Sequence, residues 1–216
     1  MKLSSLRLAL LTALFAIVFS ATGRPDDGGA ITLRRQDLHA KLGYCTTCHG
    51  LSGQGYYGYF PIPRLAGQQP KYLENQLRAF IERRRTNPVM FNVAHSLSPS
   101  MVAGLAAHFR GLDPKPIGSG PRDRVATGRA IYQEGLPESN VPACSACHGR
   151  EAKGQDEIPR LAGQLFPYTV KELTNWSRER GQGGTKADTS AIMAPTAHNL
   201  TPSQIAAIAA YLSYLQ

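Results

Sequence analysis

The same six-residue pattern occurs twice in this chain: Cys45-Thr46-Thr47-Cys48-His49-Gly50 and Cys144-Ser145-Ala146-Cys147-His148-Gly149. A Cys-x-x-Cys-His run is the attachment signature of a covalent c-type haem. Two intervening residues let both thiols reach vinyl groups on one porphyrin edge. The histidine that follows then falls beneath the iron as an axial ligand. The two runs use all four cysteines. Other uses of these residues fit poorly. A structural zinc site gathers its ligands at short set spacings, whereas Cys45 and Cys144 lie 99 positions apart. A thioredoxin-like pair needs a strand–helix context, and the flanks here read as helical and glycine-rich. Structural disulfides give no reason for a histidine after each pair. The expectation is two haem c groups held by Cys45, Cys48, Cys144 and Cys147, with His49 and His148 as iron ligands.

The duplication divides the chain into halves of about 90 residues, small for self-sufficient cores. Haem would supply the missing apolar volume, so each half is expected to fold poorly without it. Residues 1–23 read as a secretory signal, with Lys2 and Arg7, an apolar run of 13 residues from Leu8 to Ser20, then Ala21, Thr22 and Gly23. The run is short of the ~20 residues of an ordinary membrane span; an uncleaved anchor is the alternative. Export agrees with the haem reading, because c-type haem is attached outside the bacterial cytoplasmic membrane. The expected compartment is the periplasm.

Charge is uneven. Residues 31–112 carry ten Lys/Arg against three Asp/Glu, and residues 113–216 carry eleven against ten. The basic first half suits a redox partner with an acidic docking surface, steered most strongly at low salt. Peripheral association with a membrane is compatible with the same charge, and nucleic acid is a poor partner for an exported protein. Arg83-Arg84-Arg85 is the densest patch. It reads first as a solvated helix end, with docking as the alternative.

Along the chain, Gly23 to Thr32 reads as a flexible tail and Arg34 to Tyr44 as a short helix entering the first motif. A loop rich in Gly, Tyr and Pro leads to Ile62-Pro63-Arg64-Leu65-Ala66-Gly67-Gln68, and the same seven residues return as 158–164. An amphipathic segment follows each copy, with Tyr72, Leu73, Gln76, Leu77 and Phe80 at helical spacing. Ser98-Pro99 and Thr201-Pro202 are cap-plus-proline starts for a closing helix in each half. Residues 111–121 read as a linker by their Pro and Gly content. A helix near Arg124 to Glu134 opens the second half, and Gly181-Gln182-Gly183-Gly184 reads as a surface insertion. Met90 and Met193 each stand eight residues before the cap of the closing helix, in what reads as a loop, and are the favoured sixth iron ligands. Thioether sulfur favours ferrous iron and raises the potential. His95 and His198, five residues later in each half, are the alternative ligands.

Taken together, the two motifs, the repeated Pro-Arg-Leu-Ala-Gly-Gln, the late methionines and the Pro/Gly linker resemble the dihaem class I cytochromes c of the cytochrome c4 type. The resemblance covers roughly residues 36–216. It implies an all-α fold of two tandem class I cytochrome c domains, each a small helical shell around one covalently bound haem. The expected division is a signal peptide over 1–23, an N-terminal domain over 24–110, a linker over 111–121 and a C-terminal domain over 122–216. By the same resemblance the Pro63 and Pro159 carbonyls accept a hydrogen bond from the axial histidines, Leu65 and Leu161 pack on the porphyrin, and Arg64 and Arg160 reach a propionate. It implies haems near the domain interface. The family often has a proline shortly after the ligand; Pro195 follows Met193 in this way and none follows Met90 within residues 87–92, which suggests unequal potentials. The implied function is electron transfer between a respiratory or dehydrogenase donor and a terminal oxidase or reductase. The alternative is a dihaem subunit of a sulfur-compound-oxidising complex. A peroxidase would need an open iron position, and a Cys-ligated thiosulfate dehydrogenase haem would need a fifth cysteine.

Overall fold

The computed structural model describes residues 27–180 and 189–216. The expected signal peptide and the 181–184 insertion lie outside the described residues. Among those described there are ten α-helices and no β-strand, only isolated antiparallel bridges. The helices fall into two units of four and six.

The first unit contains α1 (Asp27–His49), α2 (Pro70–Ile81), α3 (Pro88–His95) and α4 (Pro99–Arg110). Helix α1 exceeds the expected one at both ends. It begins inside the presumed tail and runs on through Cys45 and His49, ending where Gly50 adopts φ 82°. The motif holds no proline, so nothing in it interrupts the ladder. Proline occupies the first turn of α2, α3 and α4, where its missing N–H costs no hydrogen bond. The Ser98 hydroxyl caps α4 by accepting from Met101 N at 3.2 Å. Leu73, Ala106 and Phe109 form the buried core, joined by Leu42, Cys45, Leu65 and Leu112.

The second unit starts with a 3-10 turn (Arg122–Arg124), then α5 (Val125–Glu134), α6 (Ser145–His148), α7 (Phe166–Thr174), α8 (Trp176–Glu179), α9 (Met193–Asn199) and α10 (Pro202–Tyr214). A capping box starts α10: Thr201 Oγ1 accepts from Gln204 N, and Gln204 Oε1 accepts from Thr201 N. Helix α10 packs on α5 and α7. Its Ile205, Ile208, Tyr211 and Leu212 join Ile131, Tyr132, Val141 and Leu200 in a core larger than that of the first unit. The segment between the units returns along α10, where Gly120 N donates to Ser213 Oγ at 3.3 Å and Tyr214 Oη donates to Gly120 O at 2.5 Å.

Met90 and Met193 lie in short helices rather than loops. Asn87 explains the first, since its side chain accepts from Met90 N at 2.9 Å with Pro88 at the first helical position. Met193 opens α9 directly after a 3-10 turn (Thr189–Ile192).

Helices α5 and α10 cross at Gly128. A Cβ there would stand 1.9 Å from Ala207 O. Gly128→Ala is expected to destabilise the second unit by about 1–3 kcal/mol through overpacking against backbone, seen as a lower midpoint in thermal unfolding of the holoprotein.

Candidate haem sites and the interface between them

Cys45, Cys48 and His49 lie on one face of α1, because residues three and four apart on a helix are neighbours. Cys48 is exposed, Cys45 half-buried and His49 buried. His49 Nδ1 is 2.9 Å from Pro63 O, and His148 Nδ1 is 3.0 Å from Pro159 O. A carbonyl can only accept, so each Nδ1 carries the proton and donates it. The Nε2 lone pair is thereby left for a metal, with the ring orientation fixed from behind. Burial lowers the pKa of both imidazoles, and the Pro63 and Pro159 carbonyls oppose this; at His49 the Arg85 charge lowers it further. Neutral rings are the form a metal needs. Burial also raises the Cys45 thiol, and it raises Cys144 to about 11.

The turn after each histidine is built alike. Gly55 N donates to His49 O, and Gly154 N donates to His148 O. The Gly53 carbonyl accepts from Leu65 and Ala66 N, as the Ala152 carbonyl does from Leu161 and Ala162 N. These bonds hold Pro63 and Pro159 under the rings. Leu65 and Cys45 pack against the core of the first unit, and Leu161 and Cys144 against that of the second.

The rest of the repeated heptad forms the contact between the units. Gln164 Oε1 accepts from Arg64 N at 2.9 Å and Gln164 Nε2 donates to Arg64 O at 3.1 Å. The mirror pair is the same: Gln68 Oε1 accepts from Arg160 N at 2.7 Å and Gln68 Nε2 donates to Arg160 O at 3.0 Å. Each glutamine thus satisfies the backbone of an arginine in the other unit, and all four residues are buried. Gly67 and Gly163 allow the close approach: a Cβ on either would meet the other unit's arginine at 3.2 or 3.3 Å. The guanidiniums flank Asp113, with Nη2 to Oδ1 distances of 3.4 Å for Arg64 and 3.6 Å for Arg160.

A second polar layer joins α2 to α7. Arg85, expected at a solvated helix end, is turned inward. It donates to Gln76 Oε1 at 2.8 Å, Tyr168 Oη at 2.7 Å and Glu172 Oε2 at 3.0 Å. Its backbone pairs with Arg180 in an antiparallel bridge. Desolvating a guanidinium is tolerable here because carboxylate and amide oxygens receive its N–H groups. Of the three arginines only Arg83 is fully at the surface, lying over the Phe91 ring at 4.4 Å. The identity of the two heptads was the available signal for the first layer. Arg85 and Arg180 carried none, since they are offset by 95 positions and the neighbouring repeats by 96.

These residues fit haem. The paired thiols, the histidine with a committed Nδ1, and a partly buried leucine on the same core as the first cysteine are present twice. Arg160 Nη2 is buried with no hydrogen-bond partner among the described residues, a donor suited to a propionate. Met90 and Met193 are half-buried, while His95 and His198 are exposed, His95 being stacked on Phe91 with ring centroids 5.6 Å apart.

Comparison with known proteins places this geometry. A cytochrome c family model matches residues 40–113 and again 125–216. Cytochrome c4 of Thiocapsa roseopersicina is 37% identical over 178 residues, covering 80% of this chain and 88% of the relative. The thiosulfate dehydrogenase electron acceptor of Thiomonas intermedia (strain K12) is 35% identical over 174 residues, covering 78% and 77%. The structure of Acidithiobacillus ferrooxidans cytochrome c4 superposes with a TM-score of 0.66 at 35% identity, covering 79% of this chain and 98% of that one.

Two outcomes are expected at the interface. Gln68→Met removes both bonds to Arg160 and leaves a buried N–H and C=O unpaired, at about 1–3 kcal/mol each; chemical denaturation would read the loss. Burial would raise the Glu172 pKa, but Arg180, Arg85 and Lys171 outweigh it and lower it to about 2. A depressed carboxylate stabilises the fold above its unfolded pKa and loses that contribution as pH falls through the folded value. The thermal midpoint of the wild type should therefore drop between about pH 4.5 and 2 more steeply than that of Glu172→Gln.

Proposed function

The chain belongs to the cytochrome c family, and from that premise we propose that it shuttles electrons in the periplasm from a respiratory or dehydrogenase donor to a terminal oxidase or reductase. It is a dihaem electron-transfer protein rather than an enzyme. Haem c, attached at Cys45/Cys48 and Cys144/Cys147, supplies the one-electron chemistry. The protein's residues supply orientation, burial and potential.

His49 and His148 are assigned as proximal ligands on the strength of their Nδ1–carbonyl bonds. Met90 and Met193 are assigned as distal ligands, supported by their matched positions and by the exposure of His95 and His198. Two such ligands at each iron leave no position for substrate. Residues 24–110 and 122–216 act as the two carrying domains, joined by 111–121. Residues 1–23 direct export, and among the described residues no helix is long and apolar enough to cross a membrane.

The exposed cations of the first domain, among them Arg35, Arg78, Arg83 and Arg110, supply the face for an acidic partner. The same face suits transient rest on an anionic membrane beside a membrane-bound donor. Arg85 takes no part in docking, because it is enclosed between the domains. A second reading is favoured by one observation, the 35% identity to a thiosulfate dehydrogenase electron acceptor: service as the dihaem subunit of a sulfur-compound-oxidising complex. Co-purification with a catalytic subunit separates the two.

The oxidised protein should contain two haems and show the weak far-red band of methionine-ligated ferric haem. Met90→Ala and Met193→Ala should each remove about half of it and open one iron to carbon monoxide after reduction. A wild type that lacks the band, or that binds carbon monoxide stoichiometrically, overturns the assignment. Replacing Arg78, Arg83 and Arg110 with Gln should slow electron delivery to an acidic partner at low salt and have little effect above about 0.5 M, where screening has removed the steering.

A further inference from the structure

The second polar layer is two-fold in almost every part. Tyr72 in α2 matches Tyr168 in α7, and both hydroxyls face the layer. Arg85 lies over the Phe80 ring of its own domain at 4.7 Å, and Arg180 over the matching Trp176 ring at 4.8 Å. Arg85 and Arg180 face each other across their backbone bridge, and Thr86 N donates to Glu179 O at 2.8 Å beside it. Among the side chains that accept from the two guanidiniums, the symmetry breaks at one pair: the residue at position 76 is glutamine and its match at 172 is glutamate, with Lys171 beside it where the first domain has Asn75.

Hydrogen bonding does not require that break. Gln76 Oε1 accepts from Arg85 Nη1 at 2.8 Å and from Arg180 Nη1 at 2.9 Å. Glu172 Oε2 accepts from Arg85 Nη2 at 3.0 Å, from Arg180 Nε at 2.7 Å and from Arg180 Nη2. Either side chain offers an oxygen that both guanidiniums can reach. At the oxygen that the guanidiniums reach, the two differ in charge; their other terminal atom is an amide nitrogen in Gln76 and, in Glu172, an oxygen that accepts from Lys171 at the rim. Two glutamates would neutralise the arginine pair and two glutamines would leave it doubly positive. The chain has one of each, with the negative charge carried by the second domain. Lys171, on the rim, is shared between Glu172 and Glu179.

We propose that the Gln76/Glu172 difference is an electrostatic bias between the two haems, lowering the potential of the second-domain haem relative to the first. The inference rests on the two-haem carrier reading. An electron added to a haem is a negative charge, so a nearby carboxylate opposes it and a guanidinium favours it. In low-dielectric surroundings such a term survives over distances that water would screen. Glu172 lies on α7 of the second domain, so its charge weighs on that haem more than on the first. Gln76, the uncharged counterpart, lies on α2 of the first domain. Arg85, adjacent to Gln76, belongs to the same domain as His49.

The test uses the full-length holoprotein and two nearly isosteric variants, Gln76→Glu and Glu172→Gln. Both restore two-fold symmetry, one with two carboxylates and one with none. Potentials are read by spectroelectrochemical titration, with each wave assigned to its domain by NMR of the haem methyl resonances. Gln76→Glu should lower the first-domain potential most, and Glu172→Gln should raise the second-domain potential most. The mean potential therefore moves in opposite directions in the two variants, while the first-minus-second difference falls in both. Loosening of the interface cannot produce that pattern, since it would shift the mean the same way in each. Gln76→Glu adds an anion between two arginines and keeps the test open if Glu172→Gln folds poorly. A mean that shifts in one common direction, or a difference unchanged in Gln76→Glu, overturns the proposal. A wild type without two reversible one-electron waves overturns the carrier reading itself, and the bias with it.

Discussion

A histidine serves one metal well only when its second nitrogen is occupied. Here that nitrogen is held by a proline carbonyl, Pro63 for His49 and Pro159 for His148. Proline suits the position because its ring stiffens the chain there and brings no polar side chain to compete for the carbonyl. The following residues inherit that placement. Arg64 and Arg160 come next in the chain, so a turn that aims a carbonyl at the imidazole also presents an arginine backbone to the opposite domain. Imidazole orientation and domain docking are therefore set by one short segment. A shift in the interface would be transmitted to the histidine ring within two residues.

The two domains share this scaffold and differ in how much they bury. The second has a continuous core from Ile131 to Leu212 that includes several aromatic and branched side chains. The first relies on Leu73, Ala106 and Phe109, with exposed aromatic residues such as Tyr59 and Phe60 in the loop after its motif. The corresponding stretch of the second domain carries Arg150, Glu151, Lys153, Asp156 and Glu157. The first domain thus has the smaller apolar core of its own, while its surface near the motif is the less polar of the two.

Much of this was legible in the amino-acid order. Cys-x-x-Cys-His stated the cofactor, the cap-plus-proline pairs Ser98-Pro99 and Thr201-Pro202 marked the closing helices, and the heptad fixed the duplication. The stripe through Leu73 and Phe80 pointed to a buried helix face, which it is. Three features were not legible. Helix α1 continues through the motif because no residue stops it, and an absence of breakers is a weaker signal than a cap. Met90 reads as a loop residue in the sequence because Asn87 as a cap is visible only once the helix is assumed. Arg85 sits in a run of three arginines whose composition suggests solvent, and only the position of α7 draws it inward.

The glutamine exchange across the interface has a further implication. Each half of the contact is the same heptad meeting its own copy, so the surface is complementary to itself. Such an isologous patch is what a symmetric dimer uses. A lone domain of this kind would carry everything needed to pair with a second molecule of itself. Joining the copies through residues 111–121 replaces that encounter with an intramolecular one, at an effective concentration of about millimolar for a short tether. Once tethered, the copies no longer have to be identical. The exchange of Gln68 and Gln164 still demands the old symmetry, while position 76 and its match at 172 have been released from it.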